Sequence, residues 1–139
     1  MPATAFRTAI TAAILALAGM ITPAAAEVVS FTAELRPVAG TASTGSGNVS
    51  GDYDTGSKKL TWRGTYRGIG TYATSASFHG SGAGPRGGFV RIRNIDSPFE
   101  GTAILSAPQG EGLLAGEWTI VVRTAGNPKG ELIGRLLRK

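Results

Sequence analysis

The stretch that decides the fold is residues 116–136, which read GEWTIVVRTAGNPKGELIGRL. Trp118, Ile120 and Val122 occupy every second position, which is the period of a strand with one buried face. A second apolar run closes the stretch. Between the two runs stands Asn127-Pro128, a turn sequence in which proline fixes one backbone angle. The stretch therefore predicts two strands joined by a tight turn.

Similar alternating runs fill the chain from residue 28 onward, separated by Gly, Asn, Asp and Pro. The clearest alternating run places four residues on one face of a strand: Leu60, Trp62, Gly64 and Tyr66. Between 107 and 115 the spacing of proline and glycine allows at most a short helical turn. About eight strands in one domain predict an all-β fold, specifically a two-sheet Greek-key sandwich. The predicted strands are 29–36, 48–53, 59–67, 72–78, 89–93, 99–105, 118–122 and 131–137.

The first 26 residues have the pattern of a cleaved secretory signal. Arg7 supplies a positive start, residues 9–18 are apolar, and Ala24-Ala25-Ala26 offers small residues before the cleavage point. The apolar run is shorter than the roughly 20 residues of a membrane span. We therefore expect a signal peptide over 1–26, one domain over 27–139 with no transmembrane segment, and export to the periplasm or the medium.

The chain has no cysteine and one histidine. These counts exclude disulfides, thiolate metal sites, a cysteine nucleophile and a cage of several histidines within one chain. The net charge of +5 favours anionic partners or simply solubility. Because no basic run and no nucleic-acid motif occurs, we expect an anionic glycan, a lipid headgroup or a protein as partner, and no nucleic acid.

Several short motifs, in this order and spacing, resemble the CHRD domain, the module named after its repeats in chordin. The resemblance covers nearly all of the chain after residue 26. It implies an immunoglobulin-like or superoxide-dismutase-like β-sandwich found in exported proteins, with no defined biochemical role. The motifs are Phe31-Thr32-Ala33-Glu34-Leu35, Tyr53-Asp54-Thr55-Gly56 with Leu60-Thr61-Trp62, Phe78-His79-Gly80, Leu113-Leu114-Ala115-Gly116-Glu117-Trp118, and Asn127-Pro128-Lys129-Gly130-Glu131-Leu132-Ile133-Gly134.

The resemblance also implies three histidine positions suited to a metal: a His-x-His before the Gly/Pro loop and a third His before the Asn-Pro turn. This chain has Ser77, His79 and Arg123 at those positions. Zinc and copper sites need three or four protein donors, and a guanidinium repels a cation. We therefore expect no metal, no cofactor and no dismutase-like activity. A degenerate metal site shared between chains is the alternative.

Arginines on the polar faces of three predicted strands are the main functional lead. If these strands are neighbours, their guanidiniums form a patch for carboxylate or phosphate groups. The alternative is an ordinary solvated face with scattered countercharges such as Glu34. The candidate ligand-binding residues are Arg63, Arg67, Arg91, Arg93, Arg123 and His79.

His79 supports two hypotheses, a hydrogen bond to nearby loop backbone or a role as base or ligand. An enzyme would use His79 with Ser77, Asn127 or a carboxylate. No Gly-x-Ser-x-Gly motif accompanies it, and the expected partner of Glu131 is Arg123 or Arg135, a structural role. The sequence therefore predicts an exported, monomeric, non-catalytic binding or structural module, with the enzyme or degenerate metal protein as alternative.

Overall fold

The computed structural model describes residues 26–81 and 88–139. The predicted signal peptide lies outside the described residues except for Ala26, and so does most of the Gly/Pro loop after Gly80. The elements are β1 (Val28–Pro37), β2 (Ser46–Asp54), β3 (Lys59–Arg67), β4 (Ala73–His79), β5 (Phe89–Ile92), β6 (Phe99–Ile104), α1 (Ala107–Leu114), β7 (Thr119–Thr124), β8 (Leu132–Arg135) and β9 (Leu137–Arg138).

The strands form one antiparallel sheet in the order β5-β4-β7-β8-β1-β2-β3-β6. Strand β1 joins the two halves, because it pairs with β2 on one side and with β8 and β9 on the other. β8 and β9 keep one register along β1, so β9 continues β8 beyond Leu136. The sheet curls until its edge strands β5 and β6 line a common depression.

The prediction of an all-β fold is confirmed, whereas the finer prediction of a two-sheet Greek-key sandwich is not. One continuous sheet, nearly closed into a barrel, surrounds the core. A twisted sheet of this size buries one face by curling on itself, so no second sheet is required to cover it.

The core lies inside the curl and consists of alternate residues of every long strand. Trp118, Phe31 and Phe78 are fully buried. Trp62 meets Phe78 edge-on at 5.1 Å between ring centroids, which joins β3 to β4 across the interior. Burial of each such side chain contributes about 1.5–3 kcal/mol. The faces predicted for β3 and β7 are confirmed by this burial.

Two local predictions were wrong. The fourth strand was predicted to begin at Tyr72, but β4 begins at Ala73, its register shifts between Ala73 and Ser75, and Tyr72 is 73% exposed. The short turn expected near residue 110 is an eight-residue helix, α1.

A capping box starts α1. The Ser106 hydroxyl accepts from the backbone of Gln109, and the Gln109 side chain accepts from the backbone of Ser106. Such a box satisfies backbone donors at a helix start that have no partner within the helix. Gly110 then packs against the Tyr53 hydroxyl with no room for a β-carbon. The helix therefore depends on the cap and on close packing that tolerates only glycine.

Glu131 ties the β7–β8 turn to the loop after β1. Its carboxylate is 1% exposed and accepts hydrogen bonds from Ser43 Oγ at 2.7 Å, Thr124 Oγ1 at 2.8 Å and Asn127 Nδ2 at 3.2 Å. Burial raises the pKa of this carboxyl, but these bonds and one from the Gly70 backbone outweigh burial and lower it. The expected pairing with Arg123 or Arg135 is absent, because the carboxylate points inward.

Candidate anion site on the outer face of β4, β5 and β7

Four polar side chains meet on the outer face of three adjacent strands. Ser77 and His79 lie on β4, two residues apart, so both point away from the core. In the register, Ser77 is paired with Arg91 of β5, and Ser75 is paired with Arg123 of β7. The alternation of each strand thus directs His79, Arg91 and Arg123 to one surface.

A chain of two hydrogen bonds connects three of these residues. Arg123 Nη1 donates to Ser77 Oγ at 3.1 Å, and Ser77 Oγ lies 2.6 Å from His79 Nε2. Because a guanidinium can only donate, the single hydroxyl hydrogen of Ser77 is available for His79. In the tautomer that carries its hydrogen on Nδ1, the neutral imidazole accepts this hydroxyl hydrogen at Nε2.

Phe89 completes the wall beside His79. The two rings stack at 5.7 Å between centroids with 26° between their planes. Phe89 is 58% exposed and Ser77 only 2%, so the hydroxyl lies beneath the rings and the guanidinium. The residues enclose an open depression of about 300 Å³, lined by Ser75, Ala76, Ser77, His79, Phe89, Arg91 and Arg123.

The depression is electropositive. None of its lining residues carries a carboxylate. Burial and the neighbouring Arg123 both lower the pKa of His79 from its ordinary 6.5. The imidazole is thus neutral near pH 7, because burial and the adjacent guanidinium of Arg123 both disfavour its charged form.

The structure brings together only part of the arginine set predicted from sequence. Arg91, Arg123 and His79 share the depression, whereas Arg63 lies opposite Glu100 in the β3–β6 pairing. Arg67 lines a separate hollow with Glu34 and residues of β2. Arg93 lies beside the gap between β5 and β6.

Glu34, the countercharge expected near the arginines, forms an ion pair with Arg36 at 2.8 Å on the exposed surface of β1. It is therefore not directed at Arg91 or Arg123. Sequence reasoning missed Phe89 as a site residue; its signal was its position, ten residues after His79 at the start of the adjacent strand.

A family comparison matches the CHRD domain over residues 27–136. The chain belongs to the CHRD domain family. Comparison with curated proteins and with solved structures found no match. Within this CHRD domain, Ser77, His79 and Arg123 occupy the three positions for which the resemblance implied histidines, and hydrogen bonds to Ser77 connect the other two.

The residues of this CHRD domain do not fit a metal ion at that place. One imidazole, one hydroxyl and one guanidinium supply too few donors, and the guanidinium repels a cation. Within residues 26–81 and 88–139, no group of three or more His, Cys, Asp or Glu side chains is arranged to hold a metal. The described part of the domain also contains no helix long and apolar enough to cross a membrane.

The geometry separates His79 from two groups that an enzyme would use. Asn127 donates to Glu131 at the far end of β7, and no carboxylate lines the depression. Of the groups that an enzyme would use here, the Ser77–His79 contact remains, and the Ser77 hydroxyl in it is nearly buried.

Proposed function

We propose that this chain is an exported, non-catalytic binding module of the CHRD family that holds an anionic group in the depression between β4, β5 and β7. The observation that carries the proposal is the pair Arg91 and Arg123, which border one depression without a carboxylate in its lining. Guanidinium N–H groups recognise carboxylate, sulfate and phosphate through charge-assisted bonds.

The contacts of Arg123 support this function. Its hydrogen bond to Ser77 engages Nη1 and holds the guanidinium against β4. A guanidinium has five N–H donors, so the others remain for a ligand. A side chain fixed before binding loses less conformational entropy when the ligand arrives. Ser77 is thus a positioning residue for Arg123 and His79.

The shape of the depression indicates what part of a ligand it takes. A volume of about 300 Å³ is at the lower end for small-molecule pockets, and the depression is open to solvent. It suits a single charged group on a larger molecule, such as the carboxylate or sulfate of a glycan or the phosphate of a lipid headgroup. Phe89 offers an apolar surface beside that group.

Binding of an anion is expected to favour protonation of His79. In the free protein the neutral imidazole shares one hydrogen bond with Ser77 through Nε2; once protonated, it donates at both ring nitrogens and adds a positive charge to the depression. An anion therefore raises the pKa of His79. By linkage, affinity should increase as the pH falls below the ordinary histidine range.

The test is a thermal-shift and calorimetry series on residues 27–139 with a carboxylated glycan, a sulfated glycan and short-chain phosphatidylglycerol. We expect at least one of them to stabilise the protein by mass action. The double variant Arg91→Ala/Arg123→Ala should lose the shift. The double variant Arg63→Ala/Arg67→Ala removes the same charge elsewhere and should keep it.

Equal losses in the two double variants would mean that net charge, not the depression, is responsible, and would overturn the proposal. Absence of any shift would do the same. Secretion of the full-length chain, followed by N-terminal sequencing of the exported protein, tests the proposed export and cleavage after Ala26.

One observation favours the enzyme alternative, the 2.6 Å contact between Ser77 Oγ and His79 Nε2. A nucleophilic serine needs such a base. The hydroxyl is 2% exposed and no acid orients the imidazole from the lining of the depression, so binding is the better supported function. If the wild type turned over an activated ester and the Ser77→Ala variant did not, the enzyme would become the better supported function.

A further inference from the structure

The two edge strands of the curled sheet have no paired neighbour on one side. β5 pairs with β4, and β6 pairs with β3; the described residues provide no strand that pairs with their other edges. Between these edges lies a depression of about 570 Å³, lined by Arg91, Arg93, Thr102 and Ala103. Unpaired strand edges are templates for another chain.

The register shows which backbone groups face this gap. Gly80 N donates to Gly88 O, so residues 88, 90 and 92 direct their N–H and C=O groups toward β4. Phe89 and Arg91 alternate with them and direct theirs toward the gap. On the opposite edge, the bond from Leu105 N to Lys58 O fixes the same alternation, so Thr102 and Ile104 direct their backbone groups into the gap.

Charge at the β5 edge selects the kind of strand that can be added. Arg91 projects from the outer face of β5, and the exposed Arg93 follows its last residue; both line the depression, and no ion pair involves either of them within the described residues. A second copy of β5 would place arginines near arginines, which opposes self-association. An added strand with acidic residues on its outer face would instead meet both guanidiniums.

The inner face of the same edge is apolar. Val90 and Ile92 point into the curl, and Ala103 lies across the gap. Alternate side chains of an added strand would enter this space, so they must be apolar and of moderate size. A strand that fits both faces alternates acidic and apolar residues.

We propose that the free edge of β5 binds an extended segment of a partner protein, with alternating acidic and apolar residues, as an added antiparallel strand. Main-chain hydrogen bonds from Phe89 and Arg91 supply affinity, and Arg91, Arg93 and the apolar inner face supply selectivity. Because β5 has four residues, the paired segment is about four residues long, or about 13 Å at 3.3 Å per residue.

The probe is the peptide acetyl-Gly-Val-Glu-Val-Glu-Val-Gly-amide, titrated into residues 27–139 and followed by NMR and calorimetry. A residue opposite Arg91 in an antiparallel pair shares its face and exchanges backbone hydrogen bonds with it. The glutamates of the probe take that position. Two control peptides are used. The first carries lysine in place of each glutamate, and the second carries N-methyl groups on the backbone nitrogens of the two glutamates.

Binding should slow hydrogen exchange at the Phe89 and Arg91 amides, while those of Val90 and Ile92, already bonded to β4, change little. The lysine and N-methyl peptides should bind at least about tenfold more weakly. Arg93→Glu should weaken binding similarly, whereas Arg63→Glu, outside the gap, should not. Equal binding by the three peptides, protection spread over all four amides, or no binding would each overturn the proposal.

This inference is independent of the anion depression, although Arg91 borders both. Arg123→Ala reports on the depression and should leave the peptide-induced protection of Phe89 and Arg91 unchanged. Arg93 does not line the depression, so Arg93→Glu should leave the specific effect of small anions there unchanged. Failure of one proposal is therefore distinguishable from failure of the other.

Discussion

Arg123 and Ser77 lie on neighbouring strands, and Arg123 Nη1 donates to Ser77 Oγ across them at 3.1 Å. The bond holds a guanidinium over the outer face of β4, 46 positions away in sequence. The same hydroxyl contacts His79, so the nearly buried Ser77 oxygen is hydrogen-bonded both to the Arg123 guanidinium and to the only histidine of the chain.

Arg123→Ala should raise the pKa of His79. Burial and the charge of Arg123 lower that pKa in the folded protein, so removing the charge brings it back toward 6.5. An NMR titration of the imidazole measures the change directly. Arg67→Ala removes a charge outside this depression and should leave the titration unchanged; an equal shift in both variants would contradict the assignment.

The lowered pKa of His79 also determines how the stability of the domain depends on pH. A histidine whose folded pKa lies below its unfolded value contributes stability that is full above the unfolded pKa of about 6.5 and is lost as the pH falls through the folded value. The free energy of unfolding of His79→Gln should therefore depend less on pH than that of the wild type below pH 6.5, measured by urea denaturation.

Glu131→Gln should destabilise the domain by about 1.5–3 kcal/mol, because the charged acceptor of several hydrogen bonds is lost and buried donors keep a weaker partner. The folded pKa of Glu131 lies below 4.5, so its contribution is full above the unfolded pKa and is lost as the pH falls through the folded value. Urea denaturation at several acidic pH values measures both effects.

The matched control is Glu100→Gln, an exposed carboxylate on β6. It should change the free energy of unfolding by less than about 0.5 kcal/mol, as surface substitutions usually do. If the stability of the Glu131 variant followed the wild-type pH dependence through the acidic range, the role assigned to this carboxylate would be wrong.

Gly110→Ala should destabilise the domain by about 1–3 kcal/mol. Alanine is normally the better helix former, but here its β-carbon meets the Tyr53 hydroxyl and ring, and overpacking costs that amount. Thermal and urea denaturation measure the loss. The second variant Tyr53→Leu should make the glycine substitution less costly, which a general helix effect would not.

Gly70→Ala is the control, since a β-carbon there meets no atom within 4 Å. It should be close to neutral. A Gly110→Ala variant as stable as the wild type would show that α1 can move away from Tyr53, contrary to the packing described.

Alternation determined which residues of β3 and β7 are buried. Leu60 and Trp62 point inward and Arg63 outward because a strand directs successive side chains to opposite faces. That rule acts between neighbours in sequence and needs no tertiary information. The helix α1 was also locally encoded, since Ser106 and Gln109 form its capping box, but the glycines and Pro108 obscured the signal.

Only the tertiary structure decided that the sheet curls into one nearly closed barrel and that the arginines fall into separate groups. Because β1 pairs on both sides, three strands separate β3 from β7 in the sheet order. Arg63 and Arg123 therefore cannot belong to one patch, although both occupy outward positions of their strands. The sequence by itself determined the inner and outer faces, since these depend on local backbone geometry; the fold decided which outer faces are adjacent, since strand pairing joins residues far apart in the chain.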